Sequence, residues 1–71
     1  MIPLTLCKAG ESMEIAKVGG KDDIKNHLYD LGFVAGAKIS IVNELAGNII
    51  VNIKDSRVAI DKQMAQKIMV N

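Results

Sequence analysis

The chain has 71 residues, nine of them basic and eight acidic for a formal net charge of +1, and 49% are hydrophobic. That length gives one domain, residues 1–71, which buries only roughly 60% of its unfolded surface, and a single cysteine, Cys7, excludes an internal disulfide. Like charges form no block, which weighs against a phosphate-binding surface, and no apolar run approaches the ~18–20 residues that span a bilayer.

The N-terminus, Met1-Ile2-Pro3-Leu4, lacks the basic and long apolar regions of a signal peptide, and with the free thiol this points to the cytoplasm. Thr5 to Lys8 reads as a first short strand, ended by the turn-like cluster Ala9-Gly10-Glu11-Ser12. Met13 to Val18 alternates, with Met13, Ile15 and Lys17 on one face and Ala16 and Val18 on the other. Gly19-Gly20 breaks this strand. Lys21-Asp22-Asp23 then opens a helix of about ten residues, the two acids suiting its positive end.

That helix runs into the most informative stretch of the chain, Leu28-Tyr29-Asp30-Leu31-Gly32-Phe33-Val34-Ala35-Gly36-Ala37-Lys38-Ile39. Ile24, Leu28 and Leu31 are spaced four and three apart and share a helix face. Gly32 sits where a helix would end on a left-handed residue, and Gly36 where the chain would turn into the next strand. Leu28, Leu31, Gly32 and Gly36 are therefore expected to build the fold. Lys38 to Val42 is the third strand, Asn43 to Asn48 a hairpin loop, and Ile49 to Ile53 the fourth strand with Ile49, Val51 and Ile53 inward. Lys54-Asp55-Ser56 is a tight turn and Arg57 to Ile60 the fifth strand. Asp61 is a good N-cap for a short helix over Lys62 to Lys67, and Met69-Val70 adds a terminal strand segment. The sum is a mainly β fold, a small, partly open barrel of five to six strands with one inserted helix and a short helical turn near the C-terminus.

Candidate chemistry is sparse. Cys7 and His27 are the soft metal ligands besides the methionines, they stand apart without a CxxC or HxxxH partner, and a structural zinc site needs four ligands. Cys7 reads as a small core residue and His27 as a solvated helix residue, so no metal site is assigned. Met13, Met64 and Met69 have the spacing of core positions. Asp22 and Asp23 serve a helix end more simply than acid/base chemistry. Gly19-Gly20 lacks the Gly-Lys-Ser/Thr of a phosphate loop, and no nucleophile, base and orienting group can be assigned. The expectation is a non-enzymatic protein with no cofactor, working through its surface.

The surface candidates are few. With Ile24, Leu28 and Leu31 inward, Lys25, Asn26 and Tyr29 face outward. Leu45 and Ala46 form an apolar pair at an expected loop tip, and Phe33 between two glycines is either a core plug or the lining of a hydrophobic groove. Lys25, Tyr29, Phe33, Leu45 and Ala46 are therefore the candidate partner-binding residues. An exposed barrel edge would also allow a homo-oligomer.

One ordered set of residues spans the chain: Pro3-Leu4 with Gly10-Glu11 and Ile15; Leu28, Leu31-Gly32-Phe33 and Gly36; Gly47 with Ile49, Ile50 and Val51; then Val58-Ala59-Ile60, Ala65, Ile68 and Val70. It resembles the FeoA family, the small cytoplasmic component of bacterial ferrous iron uptake. That domain, an SH3-like barrel, also occurs as the C-terminal module of metal-dependent repressors of the diphtheria-toxin-repressor type. The family usually has a proline in the hairpin loop, where this chain has Ala46, and an arginine before the leucine, where it has His27. The resemblance implies an accessory or regulator of a large membrane ferrous iron permease that carries its own cytosolic GTPase domain, with iron as the permease's cargo rather than a cofactor here. Two rival readings are a free-standing regulator module of the repressor type and a small nucleic-acid-binding barrel. Near-neutral charge and only two aromatics, Tyr29 and Phe33, weigh against the latter, so no nucleic acid and no membrane insertion are expected.

Overall fold

The computed structural model describes residues 1–71. Six strands form one antiparallel, partly open sheet: β1 (Ile2–Pro3), β2 (Ser12–Val18), β3 (Lys38–Leu45), β4 (Asn48–Ile53), β5 (Ser56–Asp61) and β6 (Ile68–Val70). Their spatial order is β1-β6-β2-β3-β4-β5, so the last strand inserts between the first two. Helix α1 (Asp22–Asp30) is inserted between β2 and β3, and α2 (Lys62–Ala65) between β5 and β6. The architecture is the mainly β one read from the sequence, with six strands.

The core is entirely aliphatic apart from Phe33, and no polar or charged side chain is buried. β4 shows the alternation most plainly: Ile49, Val51 and Ile53 are buried, while Ile50 is half-buried and Asn52 exposed. Both acids expected at the helix start lie in the first turn of α1. Asp61 caps α2, its Oδ1 accepting from the Met64 N–H at 2.8 Å, which satisfies a donor that the helix itself leaves unpaired.

The N-terminal segment differs from expectation. Thr5 to Lys8 is not a strand. Pro3, at φ −65, leads into a 3-10 turn over Leu4–Leu6, closed by the Cys7 N–H donating to the Leu4 carbonyl at 3.0 Å. The turn drives Leu4 into the core at 0% exposure and leaves Leu6 66% exposed. The strand lies earlier, with Ile2 opposite Val70 and Pro3 opposite Met69.

The alternation expected in β2 is also re-phased. Ile15 pairs with Val70 and Lys17 with Met69, so Ala16 is an extra residue on its strand. Such a bulge shifts the inward face by one. Ile15 and Val18 are consequently both buried, while Met13 and Ala16 are half-buried and Lys17 is exposed. A second register shift, between Ile41 and Asn43, carries β3 on to Leu45. The hairpin loop expected over Asn43 to Asn48 therefore shrinks to Ala46-Gly47, flanked by the Leu45–Asn48 pair. Both turn residues have positive φ, 53 and 83, as a primed turn requires.

Candidate functional site

The join from α1 to β3 is built by hydrogen bonds that the sequence specifies locally. The Phe33 N–H donates to the Leu28 carbonyl and the Gly32 N–H to the Tyr29 carbonyl, each at 2.9 Å. This pair is the Schellman arrangement, with Gly32 as the left-handed residue at φ +103. The motif brings Phe33 back over the helix end, and Leu28 and Phe33 both lie in the core at 0% exposure. Four residues on, the Ala37 N–H donates to the Val34 carbonyl at 3.1 Å across a turn with Gly36 at φ +90. That turn is tied to β2, the Gly36 N–H donating to the Ile15 carbonyl at 2.8 Å and the Ile15 N–H to the Ala37 carbonyl at 2.9 Å. The helix is thus held at a fixed place beside the β2–β3 seam, and with it the outward residues of its face.

Those residues are now placed. Tyr29 is 43% exposed on α1, with Lys25 half-buried one turn before it and Leu31 half-buried against the core. Leu45 is 64% exposed, but it ends β3 rather than occupying a loop, and Ala46 is the first residue of the two-residue turn. Lys25 and Tyr29 lie on α1 and Leu45 and Ala46 at the β3–β4 turn, so they form two candidate surfaces on separate elements. Phe33 belongs to neither. The helix stop folds its ring inward, so it is a core residue and not part of a partner surface.

Sequence reasoning missed a third apolar group. Met1, Ile2 and Leu6 are exposed around β1 and the 3-10 turn. Pro3 was the available signal, since its fixed φ suits the start of a helical turn better than the middle of a strand run. A shallow cleft of about 280 Å³ lies on the β2–β3 seam, lined by Ser12, Met13, Glu14 and Lys38.

The titratable groups offer little chemistry. No three His, Cys, Asp or Glu side chains gather where a metal ion would be held. Cys7 is half-buried and free. Burial pushes its thiol above the ordinary value, and the nearby Glu11 carboxylate raises it further. A thiol held protonated at neutral pH is a poor nucleophile and a poor metal ligand. His27 is exposed in the last turn of α1.

The model of the FeoA domain matches residues 2–71. The chain belongs to the FeoA family. A protein of Methanocaldococcus jannaschii named "Putative Fe(2+) transport protein A" is 31% identical over 70 residues, covering 99% of this chain and 85% of that protein. A crystal structure of an iron uptake regulatory protein, FeoA, superimposes with a TM-score of 0.90 at 26% identity, covering 97% of this chain and 93% of the other. The solution structure of FeoA from Chlorobium tepidum gives a TM-score of 0.89 at 28% identity, covering 97% of this chain and 68% of the other. A manganese-dependent transcriptional repressor contains the same fold, at a TM-score of 0.86 and 22% identity, over 96% of this chain and 39% of the repressor. The fold is thus shared between a family linked to ferrous iron transport and a part of a larger manganese-dependent repressor.

Proposed function

We propose that this chain is a non-enzymatic accessory protein of ferrous iron uptake that works in the cytoplasm. It docks on the cytosolic G-domain region of the membrane ferrous iron permease. The observation that carries this reading is the FeoA match over residues 2–71, in a chain whose relative in Methanocaldococcus jannaschii is named for Fe(2+) transport. The surface supports it: α1, closed by its Schellman stop, presents Tyr29, and the β3–β4 hairpin presents Leu45. An exposed tyrosine on a rigid element is a favourable anchor, because it offers large contact area at little conformational cost.

The test is direct binding between this chain and the purified cytosolic region of the permease, alongside iron uptake in cells with the chain deleted. Binding that weakens with Tyr29→Ala or Leu45→Asp, together with slowed uptake on deletion, is the expected result. Absence of association, with uptake unchanged, overturns the proposal. The free-standing regulator reading rests on the fold shared with the repressor. A permease gene next to the one encoding this chain favours accessory function, whereas a neighbouring DNA-binding protein gene favours the regulator.

A further inference from the structure

The sheet has two edges, and only one is blunted. β1 is two residues long and contains Pro3, both of which prevent strand addition. β5 is six residues long and contains no proline. Its ladder with β4 runs without a register shift from Asn48–Asp61 to Ile53–Ser56, unlike the bulged β2–β6 and β3–β4 seams. Outside its ladder, no backbone group of residues 56–61 makes a hydrogen bond to the main chain of another loop or turn.

The direction of the free groups follows from the hairpin. Lys54-Asp55 is a two-residue turn, so the Ile53–Ser56 pair that closes it is hydrogen-bonded. Alternation then turns the N–H and C=O of Ser56, Val58 and Ile60 toward β4, and those of Arg57 and Ala59, with the Asp61 N–H, outward, while the Asp61 carbonyl serves the first turn of α2 as its N-cap. The side chains of these three outward residues are all exposed, while Val58 is half-buried and Ile60 buried.

This edge is complementary to itself. In an antiparallel pairing of two copies centred on Ala59, the outward groups of Ala59 face those of the second copy's Ala59. In the same register Arg57 falls opposite the second copy's Asp61, and Asp61 opposite its Arg57. Val58 falls opposite the second copy's Ile60, on the inner face. Sliding the register by two residues in either direction loses both charge pairs. The charges are also available. Arg57 Nε donates to Asn52 Oδ1 at 3.2 Å, which leaves its Nη groups free, and Asp61 uses Oδ1 for the α2 cap, which leaves Oδ2 free. Opposite charges directly across a strand pair stabilise it, and like charges oppose it.

We infer that β5 is a self-association edge. Two copies of this chain pair antiparallel through Arg57 to Asp61, with Ala59 on the two-fold axis. The surface is distinct from Tyr29 and Leu45, so the inference stands or falls independently of permease docking.

The experiment is sedimentation of the whole chain from about 10 µM to about 1 mM, because a one-strand interface is small and its dimer is concentration-dependent. The wild-type chain is expected to shift from monomer to dimer. Arg57→Glu and Asp61→Lys each place like charges opposite one another and are expected to raise the dimer dissociation constant at least about tenfold. An equimolar mixture of these two variants restores both charge pairs and is expected to recover dimers. Asp61→Lys also removes the α2 cap, so its fold is checked by circular dichroism. Ala59→Pro, which deletes the central outward N–H, gives a second route to the same loss. Amide exchange adds a residue-level readout: protection of Arg57 and Ala59 rises with concentration. A wild-type chain that stays monomeric throughout overturns the inference. So does a dimer that neither Arg57→Glu nor Ala59→Pro weakens.

Discussion

At the end of α1 the chain enters the left-handed region on a glycine, Gly32 at φ +103; at the β4–β5 turn it does so on Lys54 and Asp55, at φ 49 and 63. The two places touch. A β-carbon added at Gly32 would lie 3.3 Å from Lys54 Cδ, so the lysine's methylenes cover the bare glycine. The angles explain the choice of residue. Values near 50 to 60 fall in the small left-handed well that L-residues reach at a cost of about 1–2 kcal/mol, with aspartate among the more tolerant. A φ of +103 lies outside that well, where only glycine is comfortable. The helix stop therefore depends on one residue type, whereas the hairpin turn tolerates ordinary residues because the ladder on both sides fixes it. Lys54 packing over Gly32 is expected to offset part of the strain at the turn.

The largest effect on this pair of turns comes from removing what the helix stop holds in place. Phe33→Ala takes a fully buried ring out of the core and is expected to cost about 3–5 kcal/mol. In a domain with a core this small that loss is a large share of the stability, so thermal and urea melts should show a strongly lowered midpoint. Lys54→Ala, on the other side of the same joint, is an exposed change and should stay within about 0.5–1 kcal/mol. Similar losses for the two variants would show that Phe33 does not anchor the joint.

Gly32→Ala comes next, at about 1–2 kcal/mol, from backbone strain at φ +103. The contact with Lys54 adds a smaller, removable part, because the crowding atom belongs to a flexible side chain. The double variant Gly32→Ala with Lys54→Ala separates the two. Strain alone predicts additive losses, whereas crowding predicts a double variant more stable than the sum by about 0.5 kcal/mol, measured as a double-mutant cycle in urea.

The same contrast shows what the amino-acid pattern could and could not specify. The helix, the strand patterns in β4 and β5 and the Asp61 cap are legible because each is set by residues within one turn or one strand of each other. The N-terminal turn and the β2 bulge are not. Their form depends on β6 inserting between β1 and β2, a contact between the two ends of the chain. The β2 bulge at Ala16 carries no local mark, since its composition fits a regular strand equally well. Among the surface candidates, Tyr29 followed from helix periodicity. Phe33 was ambiguous, because its inward direction depends on the hydrogen bond from its N–H back to Leu28. The β5 edge became visible only with the strand order, which leaves β5 unpaired on one side.

The smallest effects sharpen the role of the lysine cover. Asp55→Gly relieves left-handed strain of about 1–2 kcal/mol and adds unfolded-chain entropy of about 0.5–1 kcal/mol, for a net gain near 0.5 kcal/mol. Ala46→Gly, at φ 53 in the other hairpin, should gain a similar amount. In a domain of this size such a gain raises the melting temperature by about 2–4 °C. Lys54→Gly relieves the same strain but strips the methylenes from Gly32, so its net change should fall near zero. If Lys54→Gly instead gains as much as Asp55→Gly in parallel thermal melts, the packing of Lys54 over the helix stop contributes nothing, and the two turns are energetically independent.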